Sequence, residues 1–350
     1  SIFSYQASAS ASASLPIIDI NPFTDINNHS DDERKACAKE WDDAFVRTGF
    51  CRIEGHGVDA GLIEKFRMEA FRFFSQSSSS VKMEYYRGPY GNPKGGYHGV
   101  GQESVSRSRD GMGSDGGASS VADEVDNNNL PDLVESFILH PSQIENDPLE
   151  LAQLGSLYRH EMERVMDCLH EISAQALGLP NGFFQDFYNN TENNSLRLAY
   201  YPELSSSSSS SVPKSDQNKR MRYAEHTDYL GFTILLQDDN DTTNTAGGLE
   251  VKLPNSDTFC IVESVPNTFV VNIGDMFQVW TNDRWKSTVH RVSAPATRPC
   301  PARLTIPFFT GPHGKALIEP ILLRGQDETP KHETLQAGEH LWRKLRATQT

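Results

Sequence analysis

The sequence predicts an α+β chain with a mainly β core: helices first, an all-β stretch after them, and a single helix at the end. Three observations carry this. The first half holds long segments whose apolar residues recur at three- and four-residue steps. From Ser195 onward the apolar residues fall into seven or more short runs broken by turn residues, as in a sandwich or barrel. The last segment, 335–346, returns to helical spacing.

Taken in order, residues 1–14 are rich in Ser and Ala and read as a disordered tail. The run at 15–20, Leu-Pro-Ile-Ile-Asp-Ile, reads as a strand. Residues 30–47 read as a helix, with Ser30 as its cap and Glu33 at capping-box spacing. A second strand follows at 49–53, and a helix at 62–74 whose stripe is Ile63, Phe66, Ala70 and Phe73. Residues 88–128 are rich in Gly, Ser and Asn and read as a long loop, with a hairpin near Gly95 to Tyr97. The longest helix spans 149–177, with an apolar stripe from Leu151 to Ala176, and Gly178 stops it.

Strands are expected at 196–201, 232–237, 249–253, 268–273, 276–280, 289–293 and 303–309. Residues 205–211 are a serine tract, read as a surface loop, and 238–248 is a turn-rich connection. The chain therefore divides into an N-terminal helical region (15–177), a β core (195–312) and a C-terminal segment with a helix (313–350), without internal repeats.

Composition narrows the function classes. The 350 residues are 37% hydrophobic and 23% charged, with a net charge of −15. Nucleic acid and anionic membrane surfaces are poor partners for such a chain. Five scattered cysteines, an odd number without a CxxC pair, argue against a disulfide framework and a zinc site and fit a reducing, cytoplasmic compartment. No apolar run has the length of a membrane span, and the N-terminus lacks the pattern of a secretory signal. The expected partner is a small-molecule substrate and the expected state a monomer.

The chemistry concentrates in Glu225-His226-Thr227-Asp228. On a strand, residues two apart share a face, so His226 and Asp228 can offer an imidazole and a carboxylate to one metal. Alone, an HxD pair is weak evidence and reads equally as a buried polar pair or a turn. His290 lies in an alternating segment that can pair beside it. Two histidines and one carboxylate on one face leave metal positions open, the facial triad of non-haem Fe(II) oxygenases. Farther on, Arg303 and Thr305 share a strand face ahead of the apolar run Ile306 to Phe309. A guanidinium forks onto a carboxylate and a hydroxyl donates a further bond. That pair suits the distal carboxylate of 2-oxoglutarate.

The chain resembles the 2-oxoglutarate/Fe(II) dioxygenases of the plant flavonoid and gibberellin type, a family that includes isopenicillin N synthase. The marks run from Leu15-Pro16-Ile17-Ile18-Asp19, Gly49-Phe50 and Gly55-His56-Gly57-Val58 through Gly96-Tyr97 and Glu135-Ser136-Phe137. They continue with Leu196-Arg197-Leu198, Tyr200-Tyr201-Pro202, His226-Thr227-Asp228, Gly247-Gly248-Leu249, Val271-Asn272-Ile273-Gly274-Asp275 and His290-Arg291-Val292. The resemblance implies a double-stranded β-helix, or jelly-roll, core. It implies Fe(II) on His226, Asp228 and His290, with 2-oxoglutarate and O2 as cosubstrates. Arg303 and Thr305 would take the 2-oxoglutarate carboxylate, helped by Tyr201, which reads equally as a core aromatic. His56 becomes a structural turn residue. Thr305 stands where the family usually has Ser, and Ala199 where it often has Asn. The intervals on either side of His290 are longer than usual.

The substrate end is less legible. Arg197 shares strand parity with Tyr201 and could hold a substrate carboxylate, or be a salt-bridged structural arginine. Phe309 could pack against substrate or within the core, and His98 lies in a loop that can border the pocket. An acidic or amino-acid-like precursor is one expectation, with hydroxylation, desaturation or ring closure of the kainoid kind as outcomes. Three rivals stand beside this reading: an oxidase of the isopenicillin N synthase type that needs no 2-oxoglutarate, a non-catalytic binding module on the same fold, and a zinc hydrolase.

Overall fold

A computed structural model describes residues 15–89, 91–92, 94–103, 132–189, 191–204, 221–238, 248–253, 258–294, 299–323 and 329–348. The N-terminal tail, the serine tract, most of the 88–128 loop and most of the 238–248 connection lie outside the described residues.

Strand β1 (Ile17–Asp19) precedes helix α1 (Asp31–Arg47), strand β2 (Phe50–Glu54) and helix α2 (Ala60–Gln76). Ser30 caps α1: its Oγ accepts the Glu33 N–H at 3.3 Å, and the Glu33 carboxylate accepts the Ser30 N–H at 2.7 Å. Asp59 caps α2 more simply, its carboxylate accepting the Leu62 N–H at 2.7 Å. Strands β3 (Gly96–His98) and β4 (Glu135–Leu139) lead to helix α3 (Leu149–Ala176). Gly178 follows it at φ +64, the left-handed conformation that lets the chain turn off the helix.

The β region continues with β5 (Ser195–Tyr201), β6 (Tyr223–His226), β7 (Phe232–Leu236), β8 (Leu249–Lys252), β9 (Phe259–Ile261) and β10 (Phe269–Ile273). Helix α4 (Asp275–Trp280), β11 (His290–Val292), β12 (Arg303–Phe309), β13 (Leu317–Ile318), β14 (Leu335–Gln336) and helix α5 (Ala337–Thr348) complete it. One expectation is overturned: 276–280 is helix α4, not a strand. Met276, Phe277 and Trp280 are all buried, and Phe277 and Trp280, three apart, share a helix face but would lie on opposite faces of a strand. The expected helix at 335–346 also begins two residues late, because Leu335 and Gln336 pair with β13 first.

Two sheets form the core. The larger runs β1-β2-β10-β7-β12-β5-β4-β3, and the smaller β6-β11-β8-β9. All the pairings are antiparallel except β1 with β2. The larger sheet is buried on both faces. One face packs on the helical layer, where Trp41, Phe45, Phe66 and Tyr158 join Phe232, Ile234 and Phe308 in a single apolar core. The Trp41 indole N–H donates to Ser173 Oγ at 3.0 Å and ties α1 to α3. The other face looks toward the smaller sheet, where Ala199 and Tyr201 pack with Tyr223 and Val292. A site between the sheets therefore draws residues from both.

Candidate metal centre and active site

β6 and β11 are neighbours in the smaller sheet, and their register sets His290 opposite His226. Directly opposed side chains face each other at close range, and the two imidazole centroids are 4.2 Å apart. Asp228 departs from the expectation that one strand carries both ligands: β6 ends at His226, and Asp228 lies in the turn beyond. It still faces the histidines because that turn is pinned, its carbonyl accepting the Asp275 N–H at 2.8 Å. Asp228 Oδ1 stands 3.8 Å from Nε2 of His226 and 3.8 Å from Nε2 of His290. One ligand atom from each of the three residues lies within 4.8 Å of the others, and all three residues are buried.

The remaining polar atoms of these side chains are occupied. Nδ1 of His226 sits 2.8 Å from the Ala224 carbonyl oxygen, and Nδ1 of His290 sits 3.0 Å from that of Thr288. A carbonyl only accepts, so both Nδ1 atoms donate, and the two Nε2 atoms are the ones left facing Asp228. Asp228 Oδ2 accepts from the Thr233 hydroxyl at 2.5 Å and the Asn272 amide at 2.6 Å, which leaves Oδ1 to face the imidazoles. Burial and the adjacent His290 push the His226 pKa well below its ordinary value and favour the neutral ring. Burial alone would raise the Asp228 pKa. The two histidines, Asn272 and Thr233 overcome it and hold the carboxyl below its ordinary value. Two imidazoles and one carboxylate, oriented by their outer partners, are a donor set that fits a divalent iron.

Two cavities meet at this centre. The smaller, about 60 Å3, is walled by Tyr201, Arg303 and Thr305 on the larger sheet, with Leu235, Leu249 and Val292. Arg303 pairs in register with Tyr201, and Thr305 with Ala199, so the three candidate cosubstrate residues lie side by side. Burial raises the Tyr201 phenol pKa against the opposing pull of Arg197 and Arg303. The larger cavity, about 560 Å3, opens on the other side, bordered by Ile138, Tyr229, Leu230, Leu341 and Trp342 among others. Arg197, Tyr223, His226, Asp228, Thr233 and Phe309 line both.

Of the residues singled out in the sequence, eight therefore gather here: His226, Asp228, His290, Arg303, Thr305, Tyr201, Arg197 and Phe309. His98 does not. It is fully buried at the end of β3, beside the Tyr86 ring, and lines neither cavity. Sequence reasoning missed Thr233 and Asn272, although Asn272 sat inside a quoted family mark. It also missed Tyr223, whose ring packs edge-on to His226 at 4.9 Å, and the α5 residues that wall the larger cavity.

The 2OG-Fe(II) oxygenase superfamily model matches residues 192–312, and the model for the N-terminal part of the non-haem dioxygenases in morphine synthesis matches residues 15–157. The 2-oxoglutarate-Fe(II) type oxidoreductase ppzD of Metarhizium rileyi is 30% identical over 322 residues, covering 88% of this chain and 84% of that one. The chain belongs to the 2-oxoglutarate/Fe(II) oxygenase superfamily. The oxygenase is also 27% identical to homoarginine-6-hydroxylase 2-ODD-233 of rice over 345 residues, covering 95% of this chain and 96% of that one. Its fold matches the solved structure of a full-length Neurospora crassa protein in complex with alpha-KG, with a TM-score of 0.74 at 26% identity, covering 95% and 96% of the two chains. The oxygenase accordingly has the jelly-roll core of its family, with Fe(II) as metal and 2-oxoglutarate as cosubstrate.

Proposed function

We propose that His226, Asp228 and His290 hold the iron, and that Arg303, Thr305 and Tyr201 bind the distal carboxylate of 2-oxoglutarate in the smaller cavity. The larger cavity then takes a small-molecule substrate for oxidation at a C–H bond. Convergence of three ligand atoms at the junction of the two cavities carries this reading. Bound Fe(II), with 2-oxoglutarate and O2, supplies the oxidising chemistry.

The chain's own part is binding and exclusion of water. Arg303 is buried on β12, where a guanidinium can fork onto a carboxylate with two parallel bonds at low dielectric. Thr305, on the same strand face, offers a hydroxyl, and its methyl leaves the role of the usual serine intact. Phe309, Leu230 and Trp342 give the larger cavity apolar surface that positions a substrate carbon and keeps water out. Which carbon is presented decides between hydroxylation, desaturation and ring closure. The acidic precursors suggested by the sequence, kainoid-type ones included, would need Arg197 as their anchor. Arg197 is already paired with Glu103 at 2.7 Å, so the geometry favours a different substrate class.

We further propose a cytoplasmic monomer. All five cysteines are free, four of them buried. No helix among the described residues is long and apolar enough to cross a membrane.

The direct test is turnover of 2-oxoglutarate by the iron-loaded protein in air. Succinate should form, slowly without a substrate and faster with one, and His226→Ala should abolish it. Iron-dependent oxidation of a substrate without any need for 2-oxoglutarate would overturn the assignment in favour of an oxidase of the isopenicillin N synthase type.

A further inference from the structure

We propose that Glu103 determines substrate specificity: by neutralising Arg197, it makes the metal-side wall of the larger cavity select an uncharged oxygen-bearing group over a carboxylate. The inference rests on reading that cavity as the substrate site.

Arg197 points from β5 toward the metal ligands and borders both cavities. Its Nη2 donates to Glu103 Oε1 at 2.7 Å, its Nη1 donates to the Tyr223 hydroxyl at 2.9 Å, and its guanidinium lies 4.9 Å from the Tyr223 ring centroid. Glu103 is 1% exposed, accepts a further bond from Ser136 Oγ at 3.1 Å and lines neither cavity. Arg197 therefore stands between Glu103 and the substrate space.

An arginine placed to catch a carboxylate presents a full charge and an open fork. Here the fork is engaged and the pair is neutral. An entering carboxylate would be drawn by one charge, repelled by the other lying just behind it, and stripped of its hydration as well. A carbonyl or hydroxyl oxygen loses less on entry and still accepts a charge-assisted bond from the guanidinium. The exposed Glu192 on the same cavity wall adds a second negative group. The favoured substrates thus carry an amide, ketone or alcohol oxygen toward Arg197.

Matched pairs of probes test this: benzoate against benzamide, and indole-3-acetate against indole-3-acetamide. Binding is read anaerobically on the Fe(II)- and 2-oxoglutarate-loaded protein, from the perturbation of its visible charge-transfer band. The wild type should hold the amides roughly tenfold or more tighter than the acids. Glu103→Gln should raise affinity for the acids by roughly tenfold and leave the amides little changed. A folded Glu103→Gln protein without that gain overturns the proposal, as does a wild type that holds the acids as tightly as the amides. Where Glu103→Gln does not fold, the double variant E103Q/R197Q removes both charges. It should keep the preference for amides, and a gain in acid binding there is equally fatal. Absence of the charge-transfer band in the wild type would instead refute the metal-site reading.

Discussion

The two oxygens of Asp228 divide the work of the site. Oδ2 is fixed by Thr233 and Asn272, and Oδ1 is thereby aimed at the histidines. Thr233→Ala and Asn272→Ala should each weaken Fe(II) binding by roughly 10- to 100-fold, the usual cost of losing an outer partner. Anaerobic Fe(II) titration measures this, and unchanged affinity would mean that Oδ1 needs no such orientation. His226 with Asp228, and Arg303 with Thr305, were legible because each pair is two positions apart, and His290 because it lies in an alternating segment that can pair beside the first. Thr233 and Asn272 were not, because their link to Asp228 spans 5 and 44 positions and depends on how β7 and β10 register. Away from the site, His170 is fully buried among Phe184, Tyr188, Phe232 and Phe277, and burial lowers its pKa from 6.5 to about 3. Over that window the unfolded chain binds a proton that the folded one refuses, so stability falls as pH falls from 6.5 toward 3. The slope from this residue is at most roughly 1.4 kcal/mol per pH unit. Metal-free thermal melts of the wild type and His170→Phe should show it, the variant losing that share.

Among the elements, the amphipathic helices and most strands followed from local pattern, and Ser30 marked the start of α1 as its capping spacing required. Helix α4 did not, because 276–280 is too short for periodicity to separate helix from strand. The role of α5 was also hidden, since its docking rests on tertiary partners. Lys344 Nζ pairs with Asp275 Oδ2 at 2.9 Å, and His340 Nε2 lies 3.1 Å from the Tyr229 carbonyl oxygen. These contacts set Leu341, Trp342 and Leu345 along the larger cavity. Both members of the Lys344–Asp275 pair are about 7% exposed, so removing the cation strands a buried carboxylate. Lys344→Met should cost roughly 3 kcal/mol and make the C-terminal helix sensitive to protease. An unchanged melting temperature and cleavage pattern would show that α5 docks without this pair.

At the scale of the whole molecule, the site exists because two sheets face each other. The smaller contributes His226 and His290, the larger Arg197, Tyr201, Arg303 and Thr305, and the turn after β6 contributes Asp228. The family motifs foretold that both halves would be present. They did not foretell that Glu103, buried against Arg197 and Ser136, would occupy the arginine nearest the substrate space, because nothing in local spacing links positions 103 and 197. On the proposed reading, iron and 2-oxoglutarate share one site, with Arg303 at its far end. Anaerobic titration of Fe(II) and 2-oxoglutarate into the wild type and Arg303→Ala tests it most directly. The wild type should develop the metal-to-keto-acid charge-transfer band in the visible. Arg303→Ala should need roughly tenfold or more 2-oxoglutarate to reach it, as expected for loss of a charge-assisted pair. A wild type without the band, or a variant that titrates like the wild type, would contradict the account.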